Sequence, residues 1–157
     1  MITPRRLSRY LIGAASFLVF SIACGGAETT IPDMQVELSS QKPLWLRVTL
    51  RSRAESPVTL NKERLPWGNR YSMILVAVTP GGQCLQQFFP IDDPGWEKIS
   101  LNPGASASGE IDLADFFRDL GGAVKKSDIH LFWAYEAPAE LHIARRSGGW
   151  ILVPQQK

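Results

Sequence analysis

The chain has 157 residues, with 17 basic side chains against 15 acidic and a formal net charge of +2. That length is one domain's worth, and 45% apolar with 20% charged residues is a globular composition rather than a disordered one. So small a net charge argues against a nucleic-acid binder, and two cysteines exclude a disulfide-dense scaffold and a four-cysteine zinc site.

The chain opens with Arg5, Arg6 and Arg9 and no acid, followed by an uncharged stretch from Tyr10 to Ala23. A spanning helix needs roughly 20 apolar residues, so this run is too short to cross a bilayer and fits the apolar region of a secretory signal peptide. Residues 1–23 are therefore expected to be a targeting peptide. Removing them takes the basic count from 17 to 14 against 15 acids, so the mature chain carries a charge of about −1. Residues 24–33 are small and polar, with Pro32 near the end, and are expected to form a flexible tether. The folded domain is expected over 34–157.

The apolar run ends in Ser21-Ile22-Ala23-Cys24-Gly25, which resembles the lipobox of bacterial lipoproteins. The resemblance implies cleavage after Ala23 and a diacylglycerol thioether on Cys24. Ser21 departs from the usual Leu. Gly25, rather than Asp, follows the cysteine; in enteric bacteria that implies transfer to the outer membrane. The expected location is the bacterial cell envelope, lipid-anchored and facing the periplasm. An ordinary signal peptide cut after Ala23 or Ala27 is the alternative; a cut after Ala23 would retain Cys24 unlipidated and make it a disulfide candidate with Cys84.

From Met34 onward the period is two. Val36 and Leu38 alternate with Gln35 and Glu37, and Leu44, Leu46, Val48 and Leu50 alternate with Trp45, Arg47, Thr49 and Arg51. A short strand follows at Val58-Thr59-Leu60, then a loop from Lys62 to Asn69. Tyr71 to Thr79 is apolar on both faces and reads as a central strand covered on both sides. Pro80-Gly81-Gly82 is a turn, with Gln83 to Phe89 as its returning partner. A long loop from Pro90 to Trp96 precedes a strand at Lys98–Leu101 and a turn at Asn102-Pro103-Gly104. Ser108–Ile111 reads as a strand. Asp112 then caps one short helix that buries Leu113, Phe116, Phe117 and Leu120 and is stopped by Gly121-Gly122. Ile129 to Glu136 alternates again, and Leu141–Arg145 with Trp150–Val153 would close a hairpin around Arg146–Gly149.

Short strands with turn residues between them predict an all-β antiparallel β-sandwich with one short helix. The pieces Leu46–Leu50, Ser56–Leu60, Gly81-Gly82-Gln83 and Leu101-Asn102-Pro103-Gly104 resemble bacterial immunoglobulin-like domains of periplasmic and protease-inhibitor-like modules. The resemblance implies an immunoglobulin-like sandwich, and a sandwich hosts many functions.

Chemistry is sparse. Cys84 reads as a buried small hydrophobe; a catalytic thiol would need a base, and nothing places His130 or His142 beside it. Asp128 and His130 share a strand face and make a metal site conceivable, but a zinc site needs three or four ligands. Ser39–Lys42 matches S-x-x-K without the helical setting that motif requires, and Gly104–Ser108 misses the nucleophile elbow at its last position. Asp92-Asp93 lacks the ligand count of a calcium loop. Arg47, Arg51 and Arg53 read as a solvated face mixed with Glu37 and Glu55. Trp67 and Trp96 lie in Pro/Gly-rich loops, where they cap the sandwich or offer an aromatic platform. No catalytic residue, metal or cofactor is expected. The expected function is a non-enzymatic binding module whose partner, a protein or glycan, meets Trp67, Asp92, Asp93 and Trp96. The alternatives are an inhibitor of an envelope protease or cell-wall hydrolase and, last, a hydrolase using Cys84 or a metal on His130.

Overall fold

A computed structural model describes residues 32–88 and 95–157. The targeting peptide, Cys24, most of the tether, and Asp92 and Asp93 lie outside the described residues. The described chain is an all-β, sandwich-like fold of eight strands in three antiparallel sheets with two short α-helices. The strands are β1 (Met34–Leu38), β2 (Trp45–Arg51), β3 (Val58–Asn61), β4 (Met73–Val78), β5 (Lys98–Leu101), β6 (Ser106–Asp112), β7 (Ile129–Glu136) and β8 (Arg146–Val153).

Two three-stranded sheets, ordered β1-β2-β6 and β4-β7-β8, bury one face each. From the first come Leu46, Val48 and Ile111; from the second come Met73, Leu75, Ala77, Ile129, Leu131 and Val153. The period-two pattern of β2 is reproduced, with Leu46, Val48 and Leu50 fully buried between half-exposed Trp45, Arg47, Thr49 and Arg51. The ribbon β3-β5 adds a second cluster, in which Leu60 and Leu101 pack with Leu50, Leu65, Tyr135 and Leu141. Trp67 packs against both clusters. Its indole lies directly on Gly109 of β6, where any Cβ would overlap the ring.

Four expectations need correction. The Tyr71–Thr79 segment is not covered on both sides. Its strand, β4, lies at the end of its sheet, and while Met73, Leu75 and Ala77 are buried, Ile74 and Val76 face solvent. An apolar pattern on both faces does not say what covers the second one. Gln83 and the residues after it return alongside β4 without forming a regular strand. Thr79 N–H donates to the Gln83 carbonyl (2.9 Å), Leu85 N–H to that of Ala77 (2.9 Å), and the Gln87 side chain to that of Leu75.

The single expected helix is two. Asp112 caps the first, α1 (Leu113–Phe116), by accepting from Ala114 N–H at 2.9 Å. Phe117 then turns extended to bridge Gln87, and Asp119 takes φ of 61° before α2 (Leu120–Val124) begins. Gly121 and Gly122 sit inside α2 instead of ending it. Leu113, Phe117 and Leu120 are buried as expected, but burying Phe117 breaks the helix. Finally, Gly148 and Gly149 are not a turn. They lie within β8, opposite Ala134 and Trp133. Gly149 is needed there because the Trp133 indole lies over it, 3.1–3.2 Å from where a Cβ would stand. The β7–β8 connection is 137–145, with a 3-10 turn at Ala139–Leu141.

Two predictions follow from this packing. Gly109→Ala must displace Trp67, which joins both clusters, and is expected to lower stability by about 1–3 kcal/mol in a urea melt. Tyr135 is buried, and its hydroxyl donates to the Arg64 carbonyl at 2.8 Å. Burial pushes its ionisation well above the usual tyrosine range, against a smaller opposing pull from Arg64. The unfolded chain ionises this phenol near pH 10, so the stability is present below about pH 10 and is lost as pH rises above it. Tyr135→Phe is expected to lose about 1 kcal/mol at neutral pH and to flatten that alkaline decline in denaturation curves.

Candidate functional site

The outward residues of β4, β7 and β8 fall into three registered rows. These are Ile74–Ala134–Gly148, Val76–Phe132–Trp150 and Val78–His130–Leu152. Strand alternation puts all nine on one face, because the intervening residues fill the core. Ile74 is 66% exposed, Trp150 61%, Phe132 46% and Leu152 42%, and Val76 is also exposed. His130 meets the Trp150 ring edge-on with centroids 5.9 Å apart. Soluble domains rarely present so many large apolar groups contiguously, and such patches mark interaction surfaces.

The face has relief. Ala134 and Gly148 are small, and beside them a hollow of about 410 Å³ opens between Tyr71, Ile74, Ala134 and Ser147. Its polar rim is Glu136, which accepts from Arg145 at 2.9 Å and lies 3.7 Å from Arg146. Hydrogen bonding to Arg145 and the charges of both arginines hold the Glu136 carboxyl below the usual carboxylate range.

Of the expected partner-binding residues, the structure describes Trp67 and Trp96. Trp67 is half-buried in packing, so its ring serves the fold. Trp96 is 83% exposed, and its backbone neighbours are pinned. Gly95 N–H donates to the Glu63 carboxylate, Lys62 N–H donates to the Glu97 carbonyl at 2.8 Å, and Lys62 Nζ lies 2.6 Å from Glu97. Asp92 and Asp93 lie outside the described residues.

The discounted chemistry has structural occupations. Ser39 Oγ accepts from the backbone N–H groups of Gln41 and Lys42, while Lys42 Nζ reaches Glu110 at 2.6 Å and covers the Trp45 ring at 4.1 Å. Asp128 accepts from Gln155 N–H at 2.7 Å. Among the described residues, no three His, Cys, Asp or Glu side chains converge as metal ligands. Arg47 approaches Glu110 at 3.5 Å, Arg53 pairs with Asp33 at 2.5 Å, and Arg51 donates to the Gly104 carbonyl at 3.3 Å. Cys84 is a correction. It is exposed, on the wall of an open hollow of about 590 Å³ shared with Arg118, Asp119 and Lys126. It emerges at the surface because its segment bridges β4 at Val78 without joining the sheet.

Sequence reasoning missed one further cluster. Arg70 donates to the carbonyls of Asp115 and Phe88, with its guanidinium 5.2 Å from the Phe116 ring and 5.9 Å from that of Phe88. Arg118 covers Phe88 at 5.3 Å. These stacked pairs join residues far apart in the chain, and no local pattern announces them.

No family model matches this chain, and no curated protein matches it.

Because Trp96 contacts solvent on most of its surface, Trp96→Ala is expected to change stability by no more than about 0.5 kcal/mol in thermal denaturation. Trp67→Ala, which empties a site between two clusters, is expected to cost about 3 kcal/mol or more.

Proposed function

We propose that this chain is a lipid-anchored component of a bacterial cell envelope that works by binding, not catalysis, through the outer face of β4-β7-β8. The observation that carries the reading is that face, with Ile74, Val76, Phe132, Trp150 and Leu152 exposed together on a rigid three-stranded sheet. Aromatic and branched side chains held on a sheet lose little entropy when covered, which suits them to a binding surface. The anchor is supported by the arginines before an apolar run that ends at Cys24. The non-enzymatic part is supported by the structural roles of Ser39, Lys42, Asp128 and His130. On this reading partner binding runs through the sheet rather than through the Trp67 and Asp92–Trp96 loops.

Fractionation with intact mass of the chain made in a bacterial host tests the anchor. The expected product begins at Cys24, carries acyl mass and sediments with membranes, whereas Cys24→Ser is recovered in the soluble fraction. A wild-type chain that is soluble and free of lipid would falsify the anchor. For the binding face, a Phe132→Ser/Trp150→Ser chain is expected to lose its captured partners while keeping its near-ultraviolet circular dichroism.

A further inference from the structure

We infer that the occupant of the outer face of β4-β7-β8 is the same face of a second copy of this chain. The inference rests on the binding reading above and specifies its partner.

The relief of the face is the first ground. Phe132 and Trp150, exposed side by side on β7 and β8, form a ridge of two large rings with Val76 beside them. Two residues along, about 7 Å away, Ile74 stays exposed at the edge while Ala134 and Gly148 are small, and the hollow of about 410 Å³ opens beside Ile74 and Ala134. A ridge and a hollow side by side on one surface are what an isologous contact requires. A two-fold axis between them seats each copy's Phe132 and Trp150 in the hollow of the other. The hollow exceeds the volume of one indole, and Ala134, which lines it, leaves it open.

Area is the second ground. The exposed parts of Tyr71, Ile74, Val76, Phe132, Trp150 and Leu152 amount to roughly 600 Å² per copy, or about 1,200 Å² for a pair, which reaches the lower end of the range for specific interfaces. Charge is the third ground. Of the nine registered positions only His130 is ionisable, and it already lies against Trp150. Glu136, Arg145 and Arg146 stand at the rim, where both arginines share one carboxylate, so the one positive charge left over stays at the solvent edge of the closed face and not within the apolar rows. Two sheets meeting in this way stack about 10 Å apart, as the layers of a sandwich do.

The test uses the full chain, extracted from bacterial membranes in mild detergent, with its protein mass measured by sedimentation equilibrium. Twice the chain mass is expected. Trp150→Ser removes the ridge and Ala134→Phe fills the hollow; each is expected to weaken dimerisation at least tenfold while near-ultraviolet circular dichroism stays native. Ala134→Phe separates shape from stickiness, because it adds apolar surface. If that variant dimerises as well as the wild type, or if the wild type is monomeric, the inference fails. In parallel, Ser147→Cys, which lines the hollow, in a Cys84→Ser background is labelled in membranes with a maleimide–diazirine photocrosslinker, which captures partners that hold no thiol, with Glu37→Cys on β1 as the control. A product of twice the chain mass, specific to position 147, is expected. A product of another mass overturns self-association and leaves the binding face standing with a different partner. No product at position 147 overturns both.

Discussion

Leu46, Val48 and Leu50 are fully withdrawn from water on one face of β2, the middle strand of its sheet. At about 25 cal/mol per Å² of apolar surface, no other feature of the local sequence competes with that burial in setting the strand's orientation. A slip of one residue would bring Arg47, Thr49 and Arg51 inward, so register and facing are determined together. The neighbours inherit this choice. Met34, Val36 and Leu38 on β1 pair across to Leu50, Val48 and Leu46, and Ile111 on β6 pairs with Leu46 on the other side. Gly109 on β6 then faces the space that the Trp67 indole fills, which ties the main cluster to the smaller one beneath β3 and β5.

The opposing sheet obeys the same rule on its inner face and breaks it on its outer one. Leu75, Ala77 and Leu131 are almost completely buried, yet the alternate positions are Ile74, Val76 and Phe132 rather than polar residues. Compare the outer side of the first sheet, where Thr49 and Ser108 share a hydrogen bond at 2.8 Å and Arg47 approaches Glu110 at 3.5 Å. The two sheets fold by one principle and meet solvent with opposite chemistry. Folding of the single chain does not require the difference, because polar residues at those positions would leave the core intact. That gives the apolar face a cause outside the monomer.

Most of the strands were legible because period two is a local signal. β1, β2 and β7 stand where alternation put them, β3 and β5 stand where loop and turn residues bounded them, and Asp112 caps a helix where its side chain reaches the second N–H. The misreadings share one origin, which is information that only tertiary contact carries. Gly148-Gly149 has the composition of a turn, but its role is to give the Trp133 indole room and to leave a low floor on the outer face. Gly121-Gly122 resembles a helix stop, but Leu120 and Val124 on either side are buried and hold the segment helical. Apolar residues on both faces of Tyr71–Thr79 imply a partner on each side, and among the described residues only the inner face is covered. The candidate site was least legible for the same reason. Its members come from β4, β7 and β8, and until the registers were known nothing placed Ile74, Phe132 and Trp150 on a common surface. The loop tryptophans drew attention instead, and Trp67 belongs to the packing.

The proposed anchor and the proposed self-associating face would reinforce each other through concentration. A patch of this size, set against the rotational and translational freedom lost on association, supports a contact of modest affinity unless its fit is exceptional. A chain free in three dimensions at low abundance would remain largely monomeric under those terms. A chain held at a membrane surface explores a thin layer, and its effective concentration for a neighbour rises accordingly, as it does for any tethered pair. The same apolar side chains that would be a liability on a freely diffusing domain can then be covered without an extensive interface. Loss of the lipid would weaken the pair through dilution alone, with every contact of the interface unchanged. Loss of the Trp150 ridge would weaken it at any concentration. The two effects are separable because one acts on encounter and the other on the contact itself.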